Sequence, residues 1–219
     1  MKPLLNKETR VPSIESLELN GMKYEPRTFP DYFEDYDSLT PKEAKEYFEW
    51  YLEQVPKRIN ILMEYYYKTN PNAEPLDYSP QSLIPLWTWA EDKVEVEKKT
   101  RKEIKLEKKS LPRELRYLIS EYKFSEKTED LLTDISDYLA EVMIRNNPSI
   151  YWSYQTKDQN EESYNRPVLL GFEDDCELDA ALVVLQQAEI LFDSNDPVED
   201  EWEDTDLYDN YCIYVDMIK

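Results

Sequence analysis

SEKTEDLLTDISDYLAEVMIRNNPSIYWSYQTKDQNEESYNRPVLLGF, residues 125–172, decides the fold. Ser125 is a good helix N-cap, and Glu126, Glu129 and Asp130 put negative charge in the first turn, where the helix dipole favours it. Leu131, Leu132, Ile135, Tyr138, Leu139, Val142 and Met143 then recur in steps of three and four, which predicts one buried helical face. Glu129, Asp134, Asp137 and Glu141 fall largely off that stripe. Asn146, Asn147 and Pro148 stop the helix, because Asn tolerates left-handed backbone and the residue before Pro disfavours α. Ile150, Tyr151, Trp152, Ser153 and Tyr154 are strand-like by composition. A polar run leads to a second apolar stretch, residues 167–172, with Pro167 at the tolerated first position. The helix laid on this strand pair would form the core.

Outward from this centre, further helices follow the same logic. Thr40-Pro41-Lys42-Glu43 reads as N-cap, N1 proline and capping box. Its stripe is Ala44, Tyr47, Phe48, Tyr51, Leu52, Val55, Ile59, Leu62 and Tyr66, and Pro56 predicts a kink or restart. Ser79-Pro80 opens a helix whose buried face is expected to carry Leu83, Ile84, Leu86, Trp87 and Ala90. Residues 91–109 have eight basic and six acidic side chains with poor periodicity, which predicts a solvated helix or a connection. Residues 111–124 read as a short helix with Leu115, Leu118, Ile119 and Tyr122 on one face, and 178–192 as another, with a buried strand over 182–185 as the alternative. Tyr211-Cys212-Ile213-Tyr214-Val215 reads as a strand returning to the sheet. Asn20-Gly21 between short alternating flanks predicts a small hairpin.

The expected fold class is therefore α+β, about five helices packed on a small antiparallel sheet. Residues 1–30 are expected as an N-terminal arm or small hairpin, 31–192 as the helix-rich core, and 193–219 as an acidic segment docked on it.

Composition narrows the function. The 219-residue chain has no His, which removes Ser-His-Asp and Cys-His catalysis, His-ligated zinc and histidine switching. No phosphate loop, dinucleotide fingerprint or nucleophile elbow is present. No apolar run approaches bilayer length, and residues 1–20 lack a signal-peptide core. The expectation is a cytoplasmic protein with Cys176 and Cys212 reduced.

Net charge is −22, and residues 173–219 hold 16 acidic residues against one basic. Such a field opposes nucleic acid and anionic membrane and attracts a basic protein partner. The cluster Asp193, Asp196, Glu199, Asp200, Glu201, Glu203, Asp204 and Asp206 fails as a calcium loop. Counted from Asp193, Pro197 falls at a ligand position and no Gly holds the turn. No cofactor, metal site or catalytic residue is expected. Lys98, Lys99, Arg101, Lys102, Lys105, Lys108 and Lys109 are the one basic concentration, interrupted by Glu97, Glu103 and Glu107.

The expected partner-binding residues are Glu199, Asp200, Glu201, Trp202 and Glu203 in the acidic segment, with Trp152, Tyr154 and Arg166 at the strand pair. Charge would speed encounter, and aromatic and Arg contacts would hold the complex. The bland alternatives are a solvated loop and ordinary strand packing.

The runs YFEWYLEQVPKRINIL, LDYSPQSLIPLWTW, LAEVMIRNNPSIYWSY and RPVLLGF resemble a family of uncharacterised Gram-positive bacterial proteins. That resemblance brings no established activity or catalytic residue. The order of helix, Asn-Asn-Pro and Trp-bearing strand also resembles the immunity proteins encoded beside bacterial polymorphic toxins. The expected function is an acidic protein-binding module, an immunity protein in one form. The alternatives are a carboxylate- or metal-dependent enzyme and a structural subunit of a complex.

Overall fold

The computed structural model describes residues 24–156, 159, 163–189 and 203–218. Among these are six α-helices and two separate two-stranded antiparallel ribbons, an α+β fold. The hairpin turn expected at Asn20-Gly21 lies outside the described residues.

Helix α1, Pro41–Thr69, starts on the predicted capping box: the Thr40 hydroxyl accepts from the Glu43 amide and Glu43 returns the bond to the Thr40 N–H. It continues as one helix through Pro56, so no break and restart occurs there. Val55, Ile59 and Leu62 are buried on both sides of the proline, so packing holds the helix together despite the missing N–H. A 3₁₀ turn, Pro80–Ser82, leads into α2, Leu83–Glu91.

Residues 91–124 differ most from the sequence expectation. They form β1, Val96–Lys98; α3, Arg101–Ser110; a 3₁₀ turn, Arg113–Leu118; and β2, Tyr122–Phe124. β1 and β2 pair antiparallel with Glu97 opposite Lys123. α3 begins on a second capping box, Thr100 with Glu103, the same device that opens α1. The helix expected over 111–124 is replaced by the 3₁₀ turn and β2. Pro112 precedes that turn, and Leu115 and Tyr122, assigned to its buried face, are exposed.

Helix α4, Glu126–Asn146, is the predicted central helix, capped by Ser125. It packs against α1, α5 and α6 and is buried on nearly all sides from Leu131 to Met143. Asp134 and Asp137, placed off the apolar stripe by sequence, have no solvent exposure. β3, Tyr151–Tyr154, pairs antiparallel with β4, Pro167–Leu170. Gly171 leaves β4 with φ +118°, and a side chain there would collide with the Ser149 carbonyl in the α4–β3 turn.

α5, Ala180–Glu189, follows. α6, Asp206–Val215, is a helix where a strand was expected. Leu207 and Tyr211, one turn apart, are buried as α6 packs on α2, so the helical period outweighs the β-like composition of residues 211–215. Phe172 and Ile218 bridge antiparallel, and the Glu173 N–H donates to the Met217 carbonyl at 2.7 Å, tying the end of α6 beside β4.

Candidate functional site

The interior carries a charged network the sequence did not announce. Asp134 and Asp137, nearly one turn apart on α4, share the Arg27 guanidinium, whose Nη2 lies 2.6 Å from a carboxylate oxygen of each. Arg58 of α1 forks onto Asp134 through Nε at 2.9 Å and Nη2 at 2.7 Å. It also reaches the carbonyls of Glu25 at 2.9 Å and Pro26 at 3.3 Å. The Tyr24 hydroxyl donates to Asp134 and the Tyr51 hydroxyl to Asp137. Burial, reinforced by those aspartates, pushes both phenols well above their ordinary range. Burial also pushes the Asp137 carboxyl up to about 6, although Arg27 pulls the other way. These carboxylates are sealed from solvent and committed to guanidinium and hydroxyl donors. Their work is to clamp residues 24–27 onto α1 and α4.

Of the residues expected to bind a partner, Trp152, Tyr154 and Arg166 all lean inward. Trp152 packs edge-on to Tyr51 with ring centres 5.5 Å apart, and Tyr154 lies 4.8 Å from Phe48. Arg166 covers the Tyr36 ring at 5.0 Å and sits 3.5 Å from Asp179. Trp152 and Arg166 share the wall of a cavity of only about 20 Å³. Glu203 is exposed just before α6. Glu199, Asp200, Glu201 and Trp202 lie outside the described residues.

Two clefts among the described residues are large enough to receive a partner: one of about 640 Å³ beside Thr69, Gln81 and Trp89, and one of about 650 Å³ between α3 with β2 and the packed pair α4–α5, which holds the ionisable groups described next. On its α3 wall, Lys99 donates to Glu107 at 2.9 Å, and Lys123 bridges Glu97 at 3.0 Å and Glu103 at 2.7 Å. Lys123 and then Thr100 draw the Glu103 carboxyl down to about 2. The two lysines are therefore already neutralised. The opposite side carries Glu129 and Asp130 from the first turns of α4, both raised above the usual carboxyl range, chiefly by burial. Asp130 accepts the Arg27 N–H at 2.9 Å, and Glu129 makes no ion pair among the described residues. Phe29, 46% exposed, and Tyr122 complete the lining with apolar surface. This arrangement suits a cationic head on an apolar stem.

Sequence reasoning assigned Glu129 and Asp130 to dipole compensation and so missed the cleft. Thr100-x-x-Glu103 is the signal that would have revealed α3, and with it the far wall. Among the described residues, no group of three or more His, Cys, Asp or Glu side chains is placed to hold a metal ion. No described helix is long and apolar enough to cross a membrane. No family model, curated protein or solved structure matches the chain.

Proposed function

We propose that this chain is an acidic protein-binding module whose α3–α4 cleft receives a basic segment of a partner protein. The observation that carries the reading is the unpaired Glu129 carboxylate beside Asp130 in a cleft bordered by Phe29 and Tyr122. A lysine or arginine entering there gains a charge partner in a partly desolvated site, while its stem covers the exposed rings. The net charge of −22 supports the same partner class by steering it. An immunity protein is the form this function takes when the partner is a toxin, and a toxin gene beside this one would support that form. The cytoplasm is the compartment proposed.

Isothermal titration with a panel of Lys- and Arg-containing peptides tests the cleft. Glu129→Gln and Phe29→Ala should each weaken binding about tenfold, the scale of one partner-contact residue. Glu129→Gln should also flatten its salt dependence. Peptides that bind both variants as they bind the wild type would refute the assignment.

A further inference from the structure

Helix α3 buries no residue, and its two sides differ. Glu103 and Glu107 face the ribbon and cleft, where Lys123 and Lys99 hold them. Arg101, Lys102, Lys105, Lys108 and Lys109 fall within roughly 120° of the opposite side at 3.6 residues per turn. All five are exposed, and none forms an ion pair among the described residues. Leu106, 67% exposed, borders this basic stripe.

Helix α6 carries the complement. It packs inward through Leu207 and Tyr211. Outward, Asp206, Asp209, Ile213 and, just past its end, Asp216 and Met217 share a stripe of similar width. Those three aspartates form no ion pair among the described residues, and Ile213 and Met217 are 53% and 40% exposed. Each helix is ten residues, about 15 Å long.

We propose that the chain self-associates head to tail, the outer face of α3 in one copy seated on the outer face of α6 in the next. Charge complementarity and the exposed aliphatic residues on both stripes choose this occupant. A phosphate backbone would leave Leu106 uncovered, and neither it nor an anionic bilayer would engage the complementary α6 stripe. The contact is heterologous, so each docked copy leaves one stripe open, and growth continues into short chains or a ring. Two short helices bury little area, so the contact is weak and reversible. It is independent of the cleft, which lies on the other side of α3.

Sedimentation velocity tests this, at up to about 200 µM and about 150 mM salt, where a Debye length of about 8 Å damps the net repulsion between copies while contact pairs persist. The wild type should show a sedimentation coefficient that rises with concentration and falls back in high salt. Two reversed variants, Lys102→Glu/Lys105→Glu/Lys109→Glu and Asp209→Lys/Asp216→Lys, change only exposed side chains, and circular dichroism checks their folding. Each alone should stay monomeric, and an equal mixture should recover association, because each then offers the stripe the other needs. A monomeric wild type under these conditions overturns the proposal, as does a mixture that stays monomeric. Binding of single-stranded RNA or anionic vesicles that is lost in Lys102→Glu/Lys105→Glu/Lys109→Glu, by a chain that does not self-associate, would assign the stripe to a polyanion instead.

Discussion

Asp134 stands between two guanidiniums and a phenol, so deleting its carboxylate strands the buried Arg58 and leaves Arg27 with Asp137 alone. Asp134→Ala should cost about 3–5 kcal/mol in urea melts, the range for breaking a buried ion pair. A loss below about 1 kcal/mol, the surface-pair range, would show that water reaches the site. Asp137 should make stability depend on pH. Its carboxyl titrates at about 6 when folded and near 3.9 when unfolded. Between those values the folded chain keeps a proton that the unfolded chain has released, so this group's contribution falls as pH rises from about 4 to 6. The stability of the wild type relative to Asp137→Asn should therefore drop between pH 4.5 and pH 7, and a difference constant across that range would contradict the assignment. Gly171→Ala should destabilise strongly, because the left-handed backbone and the Ser149 carbonyl both oppose a side chain. Thermal melts would detect the loss.

At the scale of elements, α4 and α3 are opposites. Leu139 and Val142 lie deep in the core, and Leu139→Ala should cost about 2–5 kcal/mol in global unfolding. α3 has no core to hold it, so its cap carries more of the load. Thr100→Ala should speed hydrogen exchange across residues 101–110 by an amount corresponding to about 0.5–2 kcal/mol while leaving the global melt almost unchanged. This contrast explains what could be read from sequence. α1, α4, β3 and β4 were legible because each joins an apolar period or β-rich composition to a stop or cap signal. α3 was legible only as a solvated helix or a mobile connection, because its stripe is charged and only the box at Thr100 marks its start. α6 was misread because Tyr211, Ile213 and Val215 favour strands, whereas the decisive Leu207–Tyr211 spacing spans the helix start. The buried network was hidden for a different reason. The carboxylates lie on one element and their guanidinium partners on others, so no local pattern links Asp134 to Arg27. The cleft was equally hidden, since its two sides meet only after β1 and β2 pair.

The whole molecule is an acidic body with a basic outer helix. Self-repulsion at a net charge of −22 should be relieved as salt rises from about 10 to 150 mM and the Debye length shrinks from about 30 to 8 Å. The melting temperature should therefore climb across that range; a decline would mean that local ion pairs outweigh the long-range field. The clamp at residues 24–27 also sets a timetable for the growing chain. Its hydrogen bonds join residues 110 positions apart for Tyr24 with Asp134, and 76 apart for Arg58 with the same carboxylate. At a synthesis rate of about 5–20 residues per second, Arg27 waits on the order of 5–20 s before its aspartates exist. Until then Arg27, Arg58, Tyr24 and Tyr51 lack the aspartates on which they close. Nascent chains arrested before residue 125 should be digested readily by protease, and those arrested with α4 and α5 fully emerged should resist. This protein is thus built to commit late, from its middle backward to its beginning.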